Sequence, residues 1–181
     1  AGAAEPTGIW KFEIHAVGAG EMAIVDLHRQ DGQPAGVLVD GRSGLFDKAR
    51  VEDVKFGDGR ASFRLAGPRL AVKFDGMLVG DGPEAGKVMG TADLGNAIFP
   101  ARLEKTTEDR LGPPKPDSFN QDYFAARNER DPKAAVGKFK ALIEKNQHGP
   151  LTYALYEPML EKAQAASTPA ADVESLIAAW R

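Results

Sequence analysis

Apolar and polar residues alternate with a period of two over residues 8–106, and with a period near that of a helix over residues 118–181. In GIWKFEIHAV, Trp10, Phe12, Ile14 and Ala16 fall on one face, while Lys11, Glu13 and His15 fall on the other. The same reading extends through GEMAIVDLHRQ, VLVDG, ARVEDVKF, RASFRLA, RLAVKFDGMLVG, GKVMGTAD and AIFPARLEKT. Turn signals separate them: Gly18-Ala19-Gly20, DGQPAG, GDG and GP. About eight short strands with hairpin-length connections and no helical stretch between them predict an antiparallel barrel over 8–106. Gly76 and Gly90 inside strands predict sharp coiling or a bulge, and Pro100 inside the last strand predicts an edge or bulge with incomplete closure. A first hairpin turning at Gly18-Ala19 would set His15 opposite Met22 and His28 opposite Ile9.

RLGPPKPDSF carries Pro113, Pro114 and Pro116, and predicts a stiff, extended linker over 107–117. A helical module follows over 118–181. Its first helix would place Phe119, Tyr123, Phe124 and Ala126 near one face. Asp131 reads as the N-cap of the second, with Pro132 at the first helical position and Val136, Phe139, Leu142 and Ile143 as the stripe. Gly149-Pro150 would stop it. A third helix carries Leu151, Leu155, Met159 and Leu160, and Pro158 is expected to kink or split it. A fourth, opened by Thr168-Pro169, carries Val173, Leu176, Ile177 and Trp180. It ends on Trp180-Arg181 without a glycine cap, so the polypeptide is expected to continue. The fold class is α+β: an antiparallel, lipocalin/calycin-like barrel followed by a small α-helical module.

Composition removes several functional classes. The net charge of -3 is spread over both segments, so neither is a basic body suited to phosphate neutralisation, and nucleic acid is not an expected partner. No apolar run reaches the length of a membrane span, about 20 residues. The chain has no cysteine, which excludes disulfides, thiolate metal sites and cysteine nucleophiles within it. The opening AGAAEP is rich in small residues, like the segment after a signal cleavage site. It points to export, periplasmic or otherwise, although a cloning choice gives the same sequence.

VGDGPEAGKVMG spaces Gly80, Gly82 and Gly86 almost as a dinucleotide-binding loop does. A phosphate cradle needs a helix after the loop, whereas KVMGTADLG has poor helical periodicity. Asp81 and Glu84 would repel phosphate, and Pro83 removes an N–H donor. The stretch reads as a hairpin loop. His15, His28 and His148 show no ligand spacing, and the serines have no nucleophile context. No catalytic residue, metal site or cofactor is assigned. Trp10, Phe12, Phe63 and Phe74 are the candidate lining of a ligand cavity, if the barrel holds one; otherwise they are core.

GIWKFEI, GEMAIVDL, FDGMLVG, KVMGTA and IFPARLEKT together resemble the β-rich N-terminal region of exported thioredoxin-like proteins of the thiol–disulfide oxidoreductase type in bacteria. The stretch DPKAAVGKFKALIEKNQHGP is similar to the helical segment that follows in that family, before a thioredoxin domain with a C-x-x-C. This chain has no cysteine, so no catalytic residue carries over. The resemblance implies a non-catalytic accessory region of a larger exported protein. Its helical module would contact a downstream domain of the same polypeptide or a protein partner. The alternative expectation is a lipocalin-like carrier of a small apolar ligand.

Overall fold

The computed structural model describes residues 5–113, 118–147, 149, 151–167, 172, 174, 175 and 178. The chain divides into two compact units, Ala1–Pro114 and Lys115–Arg181.

The first unit is an eight-stranded antiparallel meander: β1 (Gly8–Ile14), β2 (Glu21–Gln30), β3 (Gln33–Gly41), β4 (Arg50–Gly57), β5 (Arg60–Ala66), β6 (Ala71–Leu78), β7 (Val88–Asp93) and β8 (Ile98–Lys105). The spatial order is β3-β2-β1-β8-β7-β6-β5-β4. The sheet curls into a nearly closed barrel in which β3 and β4 form the seam. Their approach relies on Gly36, where a Cβ would stand only 2.9 Å from Val51 Cγ1 and 3.3 Å from Val54 Cγ2. The expected barrel is thus present, and its open seam lies between β3 and β4.

Pro100 does not sit at that seam. It lies in β8, flanked by β1 and β7, opposite Thr91. Its carbonyl accepts from the His15 N–H at 2.8 Å, just beyond Ile14, the last β1 residue of that ladder. A strand residue turns its N and C=O toward the same neighbour, so the missing donor falls where the ladder ends. The expected edge or bulge is therefore unnecessary.

The first hairpin also differs from expectation. Trp10 faces Val25 and Phe12 faces Ala23, two residues away from the expected register. Gly18 and Gly20, with φ of 78° and 142°, loop residues 15–20 out of the ladder, and the register slips beside Met22. Ile9 consequently pairs with Asp26, and His15 lies beyond the ladder. DGQPAG is tighter than expected. Asp31 and Gly32, with φ of 53° and 77°, form the whole turn, and β3 starts at Gln33, so Pro34 lies on a seam strand that tolerates it.

Alternation buries Trp10, Phe12, Ile14, Phe63, Leu65, Val72, Phe74 and Leu103 inside the barrel. Phe46 joins them from the loop between β3 and β4 and is fully buried. Its backbone passes so close to Gly41 that a Cβ there would lie 2.1 Å from the Phe46 carbonyl oxygen.

The second unit contains α1 (Ser118–Arg127), α2 (Pro132–Lys145) and α3 (Tyr153–Ala165). Phe119, Tyr123 and Ala126 of α1, Ala135, Phe139 and Leu142 of α2, and Leu155, Met159 and Ala163 of α3 are buried. Asp131 caps α2 as expected, its Oδ1 accepting from the Lys133 N–H at 3.0 Å, with Pro132 opening the helix. Phe124 departs from the predicted stripe: it is 47% exposed, because Phe119 and Tyr123 already fill the buried face. α2 ends at Lys145, ahead of Gly149, where the Asn146 side chain donates to the Leu142 carbonyl at 2.8 Å. Pro158 does not split α3; the helix runs through it with the ring buried. The stripe of Val173, Leu176, Ile177 and Trp180 lies outside the described residues, as does His148.

Candidate functional site

The register of β4–β8 lays polar side chains in rows on the outer face. Lys55, Ser62, Asp75 and Thr91 form one row; Glu52, Arg64, Lys73 and Asp93 form the next, ending at Ile98. The middle of the first row is short and the second row is long. The short row becomes a floor, and a groove of about 470 Å³ runs across the strands over Ser62, Asp75 and Thr91. Toward Arg60 it continues into a second hollow of about 400 Å³ that shares Lys55, Ser62 and Asp75.

A bulge in β4 shapes one end. The ladder slips between Glu52 and Lys55, and Asp53 takes φ of 53°, a left-handed conformation that aspartate tolerates. The extra residue keeps Lys55 on the outer face, opposite Ser62.

Some charges in the groove neutralise one another. Arg60 grips Asp75 through two bonds of 2.8 and 2.6 Å, and the guanidinium holds the Asp75 carboxyl below its ordinary value. Arg64 donates to Glu52 at 2.6 Å. Asp93 accepts from the Gly95 N–H at 2.7 Å. Lys55, Lys73, Asp53 and Asp93 have no ion-pair partner among the described residues. The groove therefore presents unspent charges of both signs beside two hydroxyls, a surface for polar, extended ligands.

A second charged group gathers where β1 ends. Arg102 donates to Glu13 at 2.8 Å, and His15, buried, sets its Nε2 3.8 Å from the same carboxylate. His15 first, and then Arg102, hold the Glu13 carboxyl below its ordinary value. The connection between β6 and β7 contributes Glu84 and Lys87, paired at 2.8 Å. Lys87 lowers the Glu84 carboxyl, with smaller contributions from Arg102 and His15. This connection is the glycine-rich stretch of the sequence. It closes with the Val79 N–H donating to the Lys87 carbonyl and the Gly86 N–H to the Val79 carbonyl, a hairpin loop between antiparallel strands.

The four aromatic candidates come together inside the barrel. Phe12 meets Phe63 and Phe74 edge-on, with ring centroids 5.7 and 5.6 Å apart, and Phe63 lies 5.3 Å from Phe74. Trp10 is buried nearby in the same core, its indole N–H donating to the Pro6 carbonyl at 3.1 Å. The three phenylalanine rings touch one another. His28 sits elsewhere, its Nδ1 3.4 Å from Asp26 Oδ2. Among the described residues no group of three or more His, Asp or Glu is placed to hold a metal ion, and no helix is long and apolar enough to cross a membrane.

Sequence reasoning did not find the groove. Its residues come from five strands and span Asp53 to Ile98, so only the register brings them together. The available signal was the run of polar residues alternating with Phe63, Leu65, Val72 and Phe74. No protein-family model matches the chain, and no curated protein or solved structure matches it either.

Proposed function

We propose that the chain is a non-catalytic interaction module whose barrel docks an extended polypeptide segment of mixed charge in the groove over β4–β8. The observation that carries this reading is the groove itself: two lysines and two aspartates without ion partners stand around a floor of Ser62 and Thr91. Unpaired charges of both signs favour a partner whose charges alternate, because each buried ion then finds its counterpart. The helical unit offers a second surface, with exposed Phe124 and a groove of about 340 Å³ lined by Asp122, Ala125, Lys138 and Lys145. As the sequence resemblance implies, the module would serve as the accessory region of a larger exported thioredoxin-like protein. The carrier reading needs space within the barrel, and Phe12, Phe63 and Phe74 would have to part to provide it.

The test is fluorescence anisotropy with a labelled octapeptide of alternating Glu and Lys. Saturable binding is expected, weakened at least about tenfold in the double variant Lys55→Glu, Lys73→Glu and weakened by salt. Binding that ignores both the charge swap and salt, or no binding at all, contradicts the proposal.

A further inference from the structure

Ile98 is 66% exposed and lines the groove at its β8 end. The register sets Ile98 opposite Asp93, and Asp93 opposite Lys73. Asp93 Oδ1 accepts from the Gly95 N–H at 2.7 Å, a bond that draws the carboxylate toward the turn between β7 and β8 and leaves its charge uncompensated. Charge is uneven across the strands. Arg60 with Asp75, and Arg64 with Glu52, cancel in pairs. β4–β6 then keep Lys55 and Lys73 against Asp53, a positive surplus, while β7 keeps Asp93 and β8 contributes Ile98.

We infer that the groove reads an order of side chains in its polypeptide partner: an acidic residue over Lys55 and Lys73, a basic residue three positions away over Asp93, and an aliphatic residue next to the basic one, seated on Ile98. This deepens the reading of the groove as a polypeptide site and rests on it. The spacing follows from the sheet. Neighbouring strands lie about 4.8 Å apart. From β5, midway between the two lysine-bearing strands, β7 is about 10 Å away and β8 about 14 Å. An extended chain advances about 3.1–3.4 Å per residue, so these distances correspond to about three and four residues. Charge alone does not fix the order. A segment that carries its acid and base the other way round can turn end for end and still match Lys55, Lys73 and Asp93. Its aliphatic residue then lies beyond the lysines, away from Ile98. The apolar contact at Ile98 therefore distinguishes the two orders, and the charges supply affinity common to both.

Two blocked, labelled heptapeptides of identical composition test this on the intact chain by fluorescence anisotropy: Gly-Glu-Gly-Gly-Lys-Leu-Gly, and Gly-Lys-Gly-Gly-Glu-Leu-Gly. The first, with leucine beside lysine, is expected to bind roughly threefold to fivefold more tightly, the gain of one partly buried aliphatic contact. Ile98→Thr, a change at an exposed position, should bring the two peptides to equal affinity. Asp93→Asn keeps the acceptor for the Gly95 N–H and removes the charge, and should weaken both peptides while preserving their order. Equal, salt-sensitive binding of the two heptapeptides by the parent chain leaves the groove a polypeptide site and overturns the order. So does binding of the alternating Glu-Lys octapeptide but of neither heptapeptide. A preference that survives Ile98→Thr overturns Ile98 as the seat of the aliphatic residue. Binding of none of the three peptides overturns the groove and the order together.

Discussion

Gly76 and Gly90 stand directly opposite each other across β6 and β7, and a Cβ on Gly90 would lie 2.0 Å from the Asp75 carbonyl oxygen and 2.5 Å from Gly76 Cα. Both obstacles are backbone, so no side-chain rotation relieves them. The pair lets the two strands close tightly at the point where the Phe74 ring folds over Gly76. Gly90→Ala is expected to cost about 3 kcal/mol, at the upper end for an overpacked site. Urea denaturation measures it; a loss below about 0.5 kcal/mol, typical of an indifferent surface change, contradicts the close approach.

The aromatic core makes a second contrast. Phe12 is fully buried against two rings, whereas Phe124 of α1 is 47% exposed. Phe12→Ala should cost about 3–5 kcal/mol through lost burial and the cavity left behind. Phe124→Ala should change stability by about 0.5 kcal/mol or less. Comparable losses for the two would contradict the assignment of one to a core and the other to a surface.

How much of this was legible varies by element. The alternation of Trp10, Phe12 and Ile14 was readable because a sheet wetted on one side forces a period of two. The Asp31-Gly32 and Asp58-Gly59 turns were readable because both positions need positive φ, here 53° and 77°, then 51° and 76°. Asp131-Pro132 was readable as a helix start because its bonds are local. Ile24 was not: the segment from Glu108 to Leu111, more than eighty residues on, covers it, and alternation alone places it in water. Pro100 misled because the cost of its missing N–H depends on where the neighbouring strand ends. The groove was hidden for the same reason, since its floor of Ser62, Asp75 and Thr91 exists only once the register is set.

Acid should weaken the barrel partly through Glu13. Its folded carboxyl is held below the ordinary value of 4.5 by His15 and Arg102. The unfolded chain therefore binds the proton more tightly, and stability rises with pH across that window. The contribution is complete above the unfolded value and is lost as pH falls through the folded one. Denaturation midpoints taken between about pH 6 and pH 3 should fall less steeply in Glu13→Gln than in the parent chain. Parallel profiles would contradict this account of the Glu13 carboxyl.

The cap of α2 is a local contribution. Asp131→Ala leaves the Lys133 N–H without its acceptor and should cost the helical unit about 1 kcal/mol, while Asp131→Asn retains most of the stability. Thermal unfolding followed by far-ultraviolet circular dichroism separates the two variants. Equal losses would show that the carboxylate charge, rather than the bond, is what matters.

The central claim is that the barrel binds on its outside and is filled within. Amide NMR of the intact chain reads both faces at once. With the alternating Glu-Lys octapeptide, the resonances of Lys55, Ser62, Lys73 and Thr91 are expected to shift in a saturable, salt-sensitive way. The Trp10 indole N–H, bonded to the Pro6 carbonyl, should stay in place. With dodecanoate, neither set should move. Saturable shifts of the Trp10 indole and of Phe12, Phe63 and Phe74 on adding dodecanoate, with the groove unmoved by the peptide, would contradict the claim and make the barrel a carrier.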